Sequence, residues 1–174
     1  MPLERMWAGW RLSYVESSFD PARPVDASAT DEAGSLFERI LASDLSDEEA
    51  RVVWRGPTCS ALLNAYPYNN GHVLVLPNRA VPELEQLDDE EHSALWSAVR
   101  SATVAIKAAY RPDGVNIGVN LGRGAGAGVP DHLHVHVLPR WAADTNFMTS
   151  VADARVLPES LADTWRKLTA AWPA

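Results

Sequence analysis

The chain has 174 residues, 47% of them hydrophobic, which is ample for one core and fits a single compact domain. Its formal net charge of −8 argues against the basic surface that coats nucleic acid; ordinary aqueous solubility accounts for the acidity. The only cysteine, Cys59, leaves no intrachain disulfide framework and agrees with a reducing, cytoplasmic setting.

Residues 1–34 are rich in Pro, Ser, Asp and Ala and read as a partly irregular N-terminal arm. Its Trp7, Trp10 and Tyr14 are expected to dock on the core or on a second subunit, since interfaces favour such aromatics. Met1 to Trp10 lacks the apolar run of about 7–15 residues that marks a signal peptide. No later run approaches the roughly 18 apolar residues of a membrane-spanning helix. Residues 35–174 read as one α+β domain. A short helix is expected at 35–43, then strands at 50–55, 59–65 and 71–77. Asp88 or Asp89 caps a long helix from Glu90 to Tyr110, with Leu95, Val99, Ala102, Ile106 and Ala109 recurring at three to four residues as a core-facing stripe and Trp96 beside them. Strands follow at 116–121 and 132–138, and a last helix at Leu161–Trp172. His92 reads as a solvated surface residue and Cys59 as a small buried one.

The strand at 132–138 carries the chemistry. His132, His134 and His136 alternate with Leu133, Val135 and Val137, the period-2 pattern of a half-buried strand. Three of the five histidines in the chain thus share one face. Such a face could be merely solvated, could hold zinc through neutral imidazoles, or could act on phosphate, one imidazole as nucleophile and imidazolium neighbours holding negative charge. The preceding segment decides for phosphate. Gly122, Gly124, Gly126 and Gly128 lie within seven residues, which lets backbone N–H groups approach an anion. Metal ligation needs no such loop; a phosphoanhydride does. Arg123, inside the loop, is suited to a distal phosphate or to plain solvation, and Arg140 to a structural ion pair.

These motifs, with Asn120 before the glycines and Gly71-His72-Val73-Leu74-Val75-Leu76-Pro77 upstream, resemble the histidine triad (HIT) superfamily. Leu63 to His72 and Val135 to Trp141 resemble its branch acting on dinucleoside polyphosphates. Trp7 to Arg11 and Asp144 to Met148 resemble actinobacterial members that include a diadenosine tetraphosphate phosphorylase. The resemblance implies a five-stranded antiparallel sheet with one long and one or two shorter helices. It implies that His134 attacks the α-phosphate to form a nucleotidyl-histidine, that the His132 carbonyl fixes which His134 nitrogen is free, and that His136 and His72 contact phosphate oxygens. It further places Asn120 and the loop through Gly126 and Gly128 on phosphates and ribose, Asn64 in the nucleotide pocket, and Phe37 and Ile40 against the base. Subunits are expected to pair as a homodimer or homotetramer.

The departures from the family pattern bear on mechanism. Many members carry a Cys-x-x-Cys that helps bind zinc; here that stretch is Ser35-Leu36-Phe37-Glu38, so no thiolate zinc site is expected. No cofactor is implied beyond a magnesium ion travelling with a polyphosphate. Hydrolase members often have Gln and a hydroxyl residue where this chain has Gly128 and Val129, which could open room for a phosphate acceptor. His136, which some phosphorylases replace by Gln, is retained. Water and inorganic phosphate both remain as acceptors, with phosphorolysis favoured. A dinucleoside polyphosphate or nucleoside phosphoramidate hydrolase is the first alternative. A nucleotide-binding regulator with little turnover, a metalloprotein without a catalytic nucleophile and a secondary-metabolism tailoring enzyme are the further competing readings.

Overall fold

A computed structural model describes residues 34–142, 144 and 159–173. The elements in chain order are α1 (Leu36–Ala42), β1 (Val52–Arg55), β2 (Cys59–Leu63), β3 (Val73–Pro77), α2 (Asp89–Tyr110), β4 (Gly114–Val119), β5 (Val135–Arg140) and α3 (Leu161–Ala171). The strands form one sheet in the order β1-β2-β3-β5-β4, with every neighbouring pair antiparallel. The long helix α2 carries the chain from β3 to the far edge, and β5 returns between them.

Both faces of the sheet are covered, which is why β2 and β3 are buried along their whole length rather than alternating with polar residues. On one face Ala61, Leu63, Val73, Val75, Leu133, Val135 and Val137 pack with Leu95, Ala98, Val99, Ala102 and Ile106 of α2 and with Leu168 of α3. Each such aliphatic side chain stabilises the fold by about 1.5–3 kcal/mol through removal from water. On the other face Val52, Leu62, Leu74 and Leu76 pack against Phe37 of α1. The functional face is this second one, because Leu74 pairs directly with His136 across the β3–β5 ladder.

Several boundaries differ from the sequence expectation. All five strands start or stop two or three residues away from it, α2 begins at Asp89 rather than Glu90, and of the two expected caps Asp88 is the one used, in a reciprocal box with Glu91. The last strand begins at Val135, so His132 and His134 precede it and only His136 lies within it. The cause is a change of partner: the Leu133 N–H donates to the Val81 carbonyl instead of to β3, so the chain leaves the ladder there. Trp96 is exposed rather than part of the α2 core stripe, and its indole N–H donates to His92 Nε2, so that histidine has a partner one helical turn away. Cys59 is buried. Arg140 forms the expected ion pair, with Asp144. Among the described residues no helix is long and apolar enough to cross a membrane. The N-terminal arm with Trp7, Trp10 and Tyr14, and the segment 145–148, lie outside the described residues.

Candidate active site

His72, His132, His134 and His136 are all buried on the α1 side of the sheet. Successive ring centroids are 5.1 Å apart for His72 and His136 and 5.0 Å for His136 and His134. Phe37 closes the cluster, its ring edge-on at 5.3 Å to both His132 and His134.

Hydrogen bonds assign every proton in this cluster. The His134 Nδ1–H donates to the His132 carbonyl at 2.8 Å, because a carbonyl can only accept. His134 Nε2 is therefore an unprotonated nitrogen, with no partner among the described residues. His132 donates from Nε2–H to the Pro77 carbonyl at 2.8 Å, so its Nδ1 accepts, here from the Ser35 hydroxyl at 2.6 Å. The Tyr68 backbone N–H donates to His72 Nδ1 at 3.1 Å, which puts the His72 proton on Nε2. That proton is given to His136 Nδ1 at 2.9 Å. His136 consequently carries its own proton on Nε2, and that atom is buried without a partner. One bare lone pair and one unpaired N–H thus stand on adjacent rings.

Burial lowers the pKa of His132, His134 and His136, the last to about 4, because protonating His136 beside His134 would also set two like charges on adjacent rings once His134 is protonated. All three are neutral at pH 7. The expected imidazolium neighbours on either side of His134 are therefore corrected to neutral rings; at His132 the Pro77 carbonyl and the nearby Glu38 and Asp131 carboxylates oppose desolvation without overcoming it.

Gly71 brings His72 to its place. It has φ +76°, and a Cβ there would lie 2.8 Å from the Tyr110 ring and 3.2 Å from Pro139. Asn64 holds His72 rather than standing apart from it: its Nδ2 lies 3.4 Å from His72 Nδ1 and its Oδ1 accepts from the Tyr66 N–H. Ile40 packs behind Phe37 on the second core cluster. Continuing the β4–β5 register beyond Val119 and Val135 sets Asn120 opposite His134.

The glycine loop only partly fits a preformed cradle. Gly122 and Gly126 have positive φ, as a tight turn needs. The N–H groups of Ala125, Gly126 and Ala127, however, bond to carbonyls within the loop itself. Arg123 is exposed with no ion pair among the described residues.

Two contributors escaped sequence reading. Tyr68 stacks on His136 at 5.7 Å and 17°, and nothing in sequence marks that. Ser35 was legible only as the first residue of a Ser-x-x-Glu helix cap, which it is. The stretch that carries zinc-binding cysteines in other members does not fit that metal. Its two polar side chains are a hydroxyl held on His132 and a Glu38 carboxylate held by the Ser35 and Ala80 N–H groups. No cluster of three or more His, Cys, Asp or Glu suited to a metal occurs among the described residues.

An antiparallel five-stranded sheet presenting buried imidazoles of fixed tautomer beside a glycine loop defines a class of phosphate-handling proteins. The chain belongs to the HIT family: the HIT domain model matches residues 46–143. It is 42% identical over 170 residues to a Mycobacterium tuberculosis protein named AP-4-A phosphorylase, covering 98% of this chain and 85% of that one. A Schizosaccharomyces pombe asymmetrical bis(5'-nucleosyl)-tetraphosphatase is 40% identical over 95 residues, 55% of this chain and 52% of that protein. Among solved structures, a zinc-bound histidine triad family protein from Mycobacterium smegmatis superposes with a TM-score of 0.64 at 25% identity, covering 79% of this chain and 91% of that one. A histidine triad nucleotide-binding protein from Sulfolobus tokodaii gives 0.63 at 26% identity, covering 78% and 89%.

Proposed function

We propose that this protein is a nucleotidyltransferase that cleaves diadenosine tetraphosphate at its α-phosphate, with inorganic phosphate as acceptor and ADP and ATP as products. The observation that carries the reading is the pairing of a free imidazole lone pair, His134 Nε2, with an unpartnered buried N–H, His136 Nε2. In this reading His134 Nε2 attacks the α-phosphorus, the bond to the bridging oxygen breaks, and ATP leaves. The adenylyl group stays on His134, whose ring becomes cationic, and the His132 carbonyl on Nδ1–H stabilises that charge. The His136 N–H donates to the oxygens on which negative charge develops. Phosphate then attacks the same phosphorus, the N–P bond breaks, and ADP is released with the lone pair restored to His134.

Asn120 and the loop through Gly126 and Gly128 would bind phosphates and ribose, Arg123 a distal phosphate, and Phe37 with Ile40 the base. A magnesium ion would travel with the polyphosphate. The name of the Mycobacterium tuberculosis relative, similar along nearly the whole chain, supports the phosphorolytic choice. The test is incubation with diadenosine tetraphosphate with and without millimolar phosphate, with products identified by mass. Phosphate-dependent ADP plus ATP is the expected outcome. AMP plus ATP regardless of phosphate would make the enzyme a hydrolase, and tight binding without turnover would make it a regulator.

We further propose a cytoplasmic homo-oligomer, at least a dimer. Among the described residues β4 is an edge strand, with Ile117 on it and Val104 on α2 exposed. Light scattering at micromolar concentration should give about twice the 19.0 kDa chain mass or more; the mass of one chain would refute it.

A further inference from the structure

We infer that Ser35, at the N-terminus of α1, is a positioning residue for the triad, acting through His132 on His134. Ser35 lies 97 positions from His132 in sequence, yet its hydroxyl is within 2.6 Å of His132 Nδ1 and both side chains are buried. The hydroxyl has two duties that fit its one proton and its lone pairs. It donates to His132 Nδ1 and accepts the Glu38 backbone N–H at 3.2 Å, which is the helix cap.

The consequence passes along two bonds. With Nδ1 accepting from Ser35, the His132 proton must sit on Nε2, where the Pro77 carbonyl receives it. His132 is thereby clamped between α1 and β3, and its own carbonyl is held where it fixes the Nδ1–H of His134. Without the hydroxyl, His132 Nδ1 would be a buried acceptor with no donor. The ring could then take the other tautomer and set a bare Nε2 against the Pro77 carbonyl, lone pair to lone pair. The clamp is itself braced: the Glu38 carboxylate bridges the Ser35 and Ala80 N–H groups, tying α1 to the segment that follows β3. The cap of a seven-residue helix is thus wired into the site.

The inference rests on the reading of His134 as nucleophile, so the test has one readout that needs no turnover. Ser35→Gly in the full chain removes the hydroxyl while glycine remains an acceptable cap, so folding should survive. Ser35→Thr restores the hydroxyl. In ¹⁵N spectra of the imidazoles, wild type and Ser35→Thr should show His132 with its proton on Nε2, and Ser35→Gly should show a tautomer mixture. In the phosphorolysis assay, Ser35→Gly should lower kcat about tenfold, one hydrogen bond's worth, with KM within about twofold. Ser35→Thr should recover most of the rate. Unchanged His132 shifts together with unchanged kcat in Ser35→Gly would overturn the inference, as would a rate loss that Thr fails to restore. A shifted tautomer in a protein inactive on the dinucleotide would sink the proposed reaction and keep the clamp.

Discussion

At the scale of single residues, the proposed reaction rests on tautomers rather than charge. Imidazoles neutral at pH 7 would be interchangeable in solution; here His132, His134 and His136 are differentiated by what faces the second nitrogen of each. Among the described residues, His134 alone has a ring lone pair that meets no partner. Replacing it by alanine should therefore abolish turnover, with a loss of about 10⁴-fold or more, while nucleotide binding persists because the other three rings and the loop remain. Near-wild-type rates in that variant would exclude the covalent route. The histidines were legible in sequence because alternation with Leu133, Val135 and Val137 commits them to one face, whatever the local backbone. Their protonation was not. The expectation of imidazolium neighbours failed because burial depends on α1, which packs over the rings from nearly a hundred residues away. Ser35 was invisible as a site residue for the same reason.

At the scale of elements, boundaries moved where hydrogen bonding changed partner. The last strand was expected from His132 because the hydrophobic alternation starts there, but alternation reports which way side chains point, not which backbone groups pair. Leu133 keeps its inward side chain while its N–H goes to Val81. The long helix was read nearly to the residue because it carries its own stop and start. Asp88 accepts from the Glu91 N–H at 2.8 Å, and the Glu91 carboxylate returns the bond to the Asp88 N–H at 3.1 Å. Asp88→Ala should cost about 1 kcal/mol and lower Tm by about 2–4 °C. Because the cap lies on the helix that covers the opposite face of the sheet, kcat should not change. A fall in kcat with Tm intact would mean that α2 communicates with the triad in a way its packing does not suggest. Trp96 adjoins the apolar stripe in sequence yet lies at the surface, where its indole N–H is satisfied by His92.

At the scale of the whole molecule, the sheet order could not be read from composition or periodicity, since nothing local says that β5 inserts between β3 and β4. The resemblance of the histidine motifs implies the five-stranded antiparallel sheet but not this order, which is what sets His72 and His136 side by side. The same arrangement gives the fold a liability. His132, His134 and His136 are buried neutral, so their folded pKa values lie below those of an unfolded chain. The unfolded state then binds more protons as pH falls, and stability drops with it. The contribution of these rings is complete above about pH 6.5 and is lost as pH falls toward their folded values, about 4 for His136. The carboxylates held low by hydrogen bonds, Glu38, Glu91 and Glu159, have the same sign but lose their contribution only below about pH 4.5. The interval between pH 6.5 and 5 therefore isolates the histidines. Urea unfolding should show stability roughly 2 kcal/mol lower at pH 5 than at pH 7.5 from His136 alone, with the other two rings adding to it. His136→Gln, which has no proton to gain, should flatten that slope. A wild-type stability that stays level from pH 7.5 to 5 would mean that the rings titrate alike in the folded and unfolded chain, so that burial does not hold them neutral. A stability that rises over that interval would mean that the folded rings already carry their protons at pH 7.5, and the imidazolium reading would return.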